Sequence, residues 1–182
     1  MGAERRWIIG PDEGDRVKLS SGVGVIYKVE GAETGGVFAI LEHPVDVGAF
    51  VPPHAHERED ELSYVLEGRI GVLVGDREFI VGAGSYVFKP RALPHAFWNV
   101  GDEPARLIEL VWPPTMTPAF REMAALEGTE AGRGLMEKYG IRFRPELLPG
   151  LVARHGLRLP RAMENFYAGV DRPASRPETA RS

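Results

Sequence analysis

Residues 48–68 read GAFVPPHAHEREDELSYVLEG and gather metal-binding side chains on a segment with strand-like composition. His54 and His56 stand at positions i and i+2, so an extended backbone points both imidazoles to the same face. Glu61 follows five residues after His56 and adds a carboxylate. This spacing suits a metal site on a strand. If the segment is a solvated loop, the same residues would have no such role. The remaining sequence has to distinguish these two interpretations.

The composition is that of a soluble globular protein and limits the chemistry available to it. The chain has 182 residues, 43% of them hydrophobic, which is long enough for one domain with a substantial core. A formal net charge of −4 argues against a dedicated binder of nucleic acid or of an anionic membrane. The absence of cysteine excludes disulfides, thiolate nucleophiles and cysteine-ligated clusters, so nitrogen and oxygen must hold any metal.

The sequence offers no membrane-spanning segment and no secretory signal. No apolar run approaches the roughly 20 residues that a membrane span needs, and the opening residues, MGAERRWIIGPDEGD, lack the apolar stretch of a signal peptide. We therefore expect a cytoplasmic protein without membrane or nucleic-acid partners.

Short β-like runs separated by glycine, proline and aspartate fill residues 7–112. They are rich in Val, Ile, Phe and Tyr, as in GVGVIYKVE, ELSYVLEG and HAFWNV, and their regular spacing is typical of an all-β sandwich or barrel. Gly68 and the pair Gly75-Asp76 read as hairpin connections.

The character of the sequence changes after Pro114. Helical periodicity follows Pro118 and Thr129, and a third short helix is expected near PELLPGLVARHG, where Pro149-Gly150 interrupts the pattern. The end of the chain is rich in proline and polar residues and is expected to be disordered. We predict a β domain over residues 1–114, a small helical appendage over 115–170 and a disordered tail over 171–182.

A second block of residues gives the histidine pair a context. It contains Gly84, Pro90, Ala92, His95 and Asn99. Together with Gly48, His54, His56, Glu61 and Gly68, this block resembles the paired motifs of the cupin superfamily. Nine of these ten positions fit the pattern; Ala92 departs from it, since the family has glycine there, and this indicates a slightly different turn before His95. The resemblance covers about residues 40–110 and implies a double-stranded β-helix, or jelly-roll, barrel.

The resemblance also implies that His54, His56, Glu61 and His95 converge on one divalent metal inside the barrel. Three imidazoles and a carboxylate suit iron, nickel, manganese, copper or zinc. Burying these four groups without a metal would carry a large desolvation cost.

The residues around the ligands are given other roles. The acidic neighbours of Glu61, which are Glu57, Glu59 and Asp60, are expected to form a solvated rim. His43 and His155 are assigned to structure or surface, and Asn99 to a turn or to a position behind the ligands.

Period-2 alternation extends the prediction to a substrate pocket. Phe97 faces inward if His95 does, which leaves Trp98 outside, and Ser63 faces inward with Glu61. The candidate pocket residues are Phe50, Ser63, Phe79, Phe88 and Phe97, while Lys89 reads as outward. Both faces of the strand holding Glu61 are apolar, so its outer face must be covered by the C-terminal helices or by a second subunit, and we expect a homodimer.

Within the superfamily, the stretches HAHEREDELSYVLEG and KPRALPHAFWNVGDEPARLIEL and the tail motif KYGIRF resemble small single-domain bacterial quercetinases. That resemblance implies a metal-dependent dioxygenase acting on a small, enolisable, flavonol-like aromatic substrate, with Glu61 as both ligand and catalytic base. Dioxygen would then be the second substrate. The alternatives are a non-redox isomerase or decarboxylase and a metal cupin that binds a small ligand without catalysis.

Overall fold

The computed structural model describes residues 7–125 and 129–159, and the predicted disordered tail over 171–182 lies outside them. The bounds of the strands, in chain order, are β1 Arg16–Lys18, β2 Gly24–Val29, β3 Ala39–Val45, β4 Phe50–His56, β5 Asp60–Glu67, β6 Arg69–Val74, β7 Arg77–Gly82, β8 Tyr86–Lys89, β9 His95–Asn99, β10 Ala105–Trp112 and β11 Ile141–Phe143. Within these described ranges, three α-helices follow the main run of strands, namely α1 Ala119–Ala125, α2 Thr129–Tyr139 and α3 Leu148–His155.

The strands form two antiparallel sheets that face each other across the core. Sheet A has the order β1-β2-β3-β10-β5-β8, and sheet B has the order β11-β4-β9-β6-β7. Neighbours in sequence often lie in opposite sheets, as β3 and β4 do, which is the arrangement of a jelly roll. The predicted all-β jelly-roll fold with small C-terminal helices is confirmed.

The two predicted hairpins have different outcomes. Val74 pairs with Arg77 across the two-residue turn Gly75-Asp76, where Gly75 has a φ of 64°, as a tight hairpin requires. The connection at Gly68 is not a hairpin, because β5 belongs to sheet A and β6 to sheet B. Gly68 has a φ of 78°, and an added Cβ would lie 2.8 Å from the Cβ of Ala105, so this corner between the sheets has room for glycine alone.

The C-terminal segment is not purely helical. β11 pairs with β4 in the register Ile141↔His56 and Phe143↔His54, so it extends sheet B beside the histidine pair. Pro149 lies in the first turn of α3 and begins that helix instead of interrupting it, since this position needs no backbone N–H. The predicted domain boundary after residue 114 stays a prediction.

Two apolar clusters attach the C-terminal segment to the barrel. One joins α1, α2 and β11 to sheet A through Tyr27, Leu41, Val111, Met116 and Leu135. The other packs α3 on the outer face of sheet B, where Leu148 and Leu151 cover Phe50 and Trp98. Trp98 therefore faces outward, as predicted, and a C-terminal helix covers it.

The outer face of sheet A keeps apolar side chains at its surface. Leu62, Tyr64 and Leu66 are half-buried, and Tyr86 and Phe88 on the neighbouring strand are exposed. The homodimer predicted from this face stays a prediction. Within the described residues, no helix is long and apolar enough to cross a membrane.

Candidate metal centre

Three histidines from two neighbouring strands meet inside the barrel. His54 and His56 project from β4, and His95 projects from β9 in direct register with His54. The ring centroids of His54 lie 5.0 Å from those of His56 and 4.4 Å from those of His95. One ring nitrogen from each residue lies within 4.8 Å of the others, which is close enough for one ion to contact all three.

Backbone carbonyls orient two of these imidazoles. Nδ1 of His54 lies 2.9 Å from the carbonyl oxygen of Pro52, and Nδ1 of His95 lies 3.1 Å from that of Leu93. Because a carbonyl only accepts, each Nδ1 carries the proton and each Nε2 keeps its lone pair for a ligand. This outer hydrogen bond is the usual support of a metal-binding histidine.

The electrostatics of the imidazoles suit a metal. Burial lowers the pKa of His54 well below its usual value and also lowers that of His95, so both rings are neutral near pH 7. Burial also disfavours protonation of His56, but the carboxylate of Glu61 outweighs it and raises the pKa of His56. Nε2 of His56 and Nε2 of His95 are buried without a hydrogen-bond partner, and a bound cation would satisfy both atoms.

Glu61 reaches the histidines from the opposite sheet. Its Oε1 lies 3.3 Å from Nε2 of His56, and its Oε2 lies 3.3 Å from Nε2 of His95. Burial opposes ionisation of Glu61, yet Lys89 and His56 together hold its pKa well below its usual value. Among the described residues, the set whose ligand atoms all lie within 4.8 Å of one another contains the three histidines and not Glu61, so the role of Glu61 as fourth ligand stays a prediction.

Lys89 faces the interior, and the prediction that it points outward is wrong. It is 4% exposed, and its Nζ lies 2.9 Å from Oε2 of Glu61 and 2.7 Å from Oε1 of Glu109. Burial works against the ammonium, but the two carboxylates outweigh it and raise the pKa of Lys89. Ser63 donates a hydrogen bond of 2.8 Å to Oε2 of Glu109, so the interior holds a connected polar network.

Sequence reasoning missed Glu109. The β10 sequence ARLIELVW alternates between two apolar faces, each of which carries one charged residue, Arg106 or Glu109. The sequence therefore does not show which face of β10 points into the barrel. A glutamate in a central apolar strand is nevertheless a signal of a buried partner.

The predicted solvated rim is correct for two of its three residues. Glu57 pairs with Arg142 at 2.6 Å, and Asp60 binds Arg91 through both carboxylate oxygens at the surface. The prediction is wrong for Glu59, which is fully buried behind His56, with its Oε2 4.0 Å from Nδ1 of His56. The hydroxyl of Thr115, beyond the barrel strands, donates to the other oxygen of Glu59.

The five predicted pocket residues separate into two groups. Ser63 and Phe97 are buried inside the barrel. Phe50 lies on the outer face under α3, since an irregularity in the β4–β9 register between Val51 and His54 reverses the alternation.

The other two aromatic residues are also wrong as pocket residues. Phe79 is 41% exposed with Arg77 over its ring, and Phe88 is 52% exposed and stacks on Trp112. Neighbouring residues of β8 point to opposite faces, and Lys89 points inward because Glu61 and Glu109 pair with it there. Phe88 therefore points outward.

The remaining singled-out residues have structural roles. Ala92 has a φ of 61°, the left-handed conformation that explains why glycine is usual there, and its N–H donates to the carbonyl of His56. Asn99 closes the turn before β10 by bonding Val45, Glu103 and Gly101. His43 is buried against a backbone carbonyl, and His155 pairs with Glu78 at the surface of α3.

Comparison with known proteins agrees with this geometry. Residues 43–111 match the sequence model of the cupin domain family, a segment that includes all four predicted ligands. An uncharacterized protein of Methanocaldococcus jannaschii, MJ1618, is 30% identical over 76 residues, which is 42% of this chain and 61% of that protein. Polyketide synthase CurC of Streptomyces cyaneus is 33% identical over 88 residues, covering 41% of this chain and 57% of that protein. The matches thus span less than two thirds of each of these curated relatives.

Solved structures share the fold. The polyketide cyclase RemF from Streptomyces resistomycificus superposes with a TM-score of 0.53 and 24% identity, covering 59% of this chain and 80% of that one. The two facing sheets, the histidines of β4 and β9 and the matched family segment agree with one another: residues 43–111 of this chain match the cupin domain family and lie in a jelly-roll fold.

Proposed function

We propose that the chain is a metal-dependent dioxygenase that acts on a small, enolisable aromatic substrate. The observation that carries this proposal is the convergence of three imidazoles on one point in the barrel, where Nε2 of His56 and Nε2 of His95 have no hydrogen-bond partner. Such a nitrogen site suits a divalent transition metal of the iron-to-zinc series. The domain supplies fewer protein ligands than a five- or six-coordinate metal needs, so open positions remain for substrate.

His54, His56 and His95 would hold a divalent metal, which would supply Lewis acidity toward a substrate oxygen and, if redox-active, a path for electrons. Glu61 stands beside this point as an ionised carboxylate and accepts a proton from the substrate hydroxyl or from the carbon next to its carbonyl. Phe97, a buried apolar side chain whose ring lies 6.0 Å from Nζ of Lys89, excludes water from that proton transfer.

The oxidation balances without an external reductant. A dioxygenase places both atoms of dioxygen in its product, so one molecule of dioxygen is consumed for each substrate molecule. The test is oxygen uptake by the full chain, loaded in turn with iron, nickel, manganese, copper or zinc, in the presence of flavonols. Glu61→Gln should abolish uptake while Glu57→Gln, at the surface beside Arg142, keeps it. Uptake that is equal in the two variants would contradict the role of Glu61.

A second candidate is a non-redox reaction on an enolisable polyketone, such as isomerisation or cyclisation. The relative CurC is named as a polyketide synthase, which points to polyketide chemistry. Substrate loss without oxygen uptake, equal in air and under nitrogen, would favour this candidate. Binding of the same compounds without turnover would leave a ligand-binding metal cupin.

A further inference from the structure

We propose that Lys89, held by Glu109, is a positioning residue that fixes the carboxylate of Glu61 against the imidazoles of the metal site. The proposal rests on the metal centre proposed above and assigns a task to two residues that the resemblance to cupins does not mark.

Strand register brings these groups together. Lys89 on β8 is the direct cross-strand partner of Glu61 on β5, and Glu109 on β10 is the direct partner of Ser63, two residues further along β5. Directly opposite residues on one face of an antiparallel pair have their Cβ atoms within side-chain reach. Three adjacent strands of sheet A therefore present one cation and two carboxylates to the same side of the sheet.

The contacts leave Glu61 little rotational freedom. Its Oε2 lies 2.9 Å from Nζ of Lys89 and 3.3 Å from Nε2 of His95, while its Oε1 lies 3.3 Å from Nε2 of His56. A carboxylate that faced the histidines alone could turn away from them. The ammonium of Lys89 holds Oε2, the oxygen that also meets His95, and so opposes that rotation.

Glu109 in turn holds Lys89 in place. It lies 2.7 Å from Nζ and accepts a hydrogen bond from Ser63 on its other oxygen. The three linked side chains are all buried, with an exposure of 5% or less for Glu61, Lys89 and Glu109. A lysine in such a position is costly unless it is paired, and a surface ion pair would stabilise the fold at lower cost. Stability alone therefore does not account for a buried Lys89, and we infer that its task is to orient Glu61.

The test is a double-mutant cycle on zinc affinity. The full chain is stripped of metal, and the Kd for Zn²⁺ is measured by competition with a chromophoric chelator. Lys89→Met/Glu109→Gln removes one positive and one negative charge together, so the net charge of the interior is unchanged. We expect this variant to bind Zn²⁺ about 10- to 100-fold more weakly, as substitutions of residues behind metal ligands do. In a Glu61→Gln background the same pair of substitutions should have no further effect.

A second variant keeps the test decisive if the double variant fails to fold. Ser63→Ala removes the hydrogen bond to Glu109 without any change in charge and should weaken Zn²⁺ binding severalfold, again only when Glu61 is present. The absorption spectrum of bound Co²⁺ should change in the same variants. Wild-type zinc affinity in both variants, or a loss that persists in the Glu61→Gln background, would overturn the inference. Failure of the wild-type chain to bind Zn²⁺ would overturn the metal centre itself.

Discussion

Substitution of Gly71 by alanine tests how the outer face of sheet B is closed. Gly71 lies on β6 opposite Trp98 on β9. A Cβ added at Gly71 would lie 2.1 Å from Cε2 and 2.4 Å from Nε1 of the Trp98 indole, whereas ordinary contact begins at 3.4 Å. The indole must therefore move by roughly 1 Å or more.

The surroundings of Trp98 give the cost of that movement. The ring is 1% exposed, is covered by Leu148 and Leu151, and has the ring of His155 at 4.5 Å. Overpacking a core costs about 1–3 kcal/mol, and losing the packing of a buried aromatic costs about 3–5 kcal/mol. We expect Gly71→Ala to lower the free energy of unfolding by about 3 kcal/mol, which lowers the Tm by about 6–12 °C in a protein of this size.

The matched control is Gly82→Ala on the neighbouring strand β7. There an added Cβ would find its nearest atoms at 3.8 Å, and φ is not positive, so we expect no loss of stability. Urea unfolding followed by circular dichroism measures both variants. Equal stability of Gly71→Ala and Gly82→Ala would refute the close approach of Trp98 and the packing of α3 that depends on it.

Three further predictions concern residues around the ligands. Ala92→Gly should stabilise the protein by about 0.5–1 kcal/mol in urea unfolding, because its φ of 61° is costly for an L-residue, whereas Ala83→Gly should not stabilise it. Hydrogen bonds from Arg91 lower the pKa of Asp60, so this carboxylate stabilises the fold above about pH 4 and the contribution is lost as the pH falls further. The stability gap between wild type and Asp60→Asn should therefore narrow below pH 4, and a constant gap in acid would contradict the pairing. Glu59→Gln should weaken Zn²⁺ binding about tenfold, as measured by chelator competition, because it replaces the buried carboxyl group behind His56; an affinity equal to that of wild type would show that Glu59 does not support His56.

The barrel and its histidines could be predicted from the sequence because both depend on short-range patterns. Alternation along β4 and β5 places His54 with His56 and Glu61 with Ser63, and the second motif block adds His95. These relations need only strand geometry and the spacing of the residues.

The rest depends on contacts that no local pattern contains. Lys89 faces inward because carboxylates from two other strands neutralise it. Hydrophobicity alone would predict Phe88 as the inward residue of β8. The register change in β4 turns Phe50 away from the interior. The strand Ile141–Phe143 has three residues, too few for a period of two to be recognised, and it forms because β4 offers a free edge.

The metal content of the purified protein tests the central claim most directly. We predict about one transition-metal ion per chain in wild type by elemental analysis, an almost complete loss in His56→Ala, and full retention in His155→Ala, whose imidazole pairs with Glu78 at the surface. A wild-type protein that binds none of iron, nickel, manganese, copper or zinc when each is supplied would contradict the account. Equal metal content in the two histidine variants would contradict it as well.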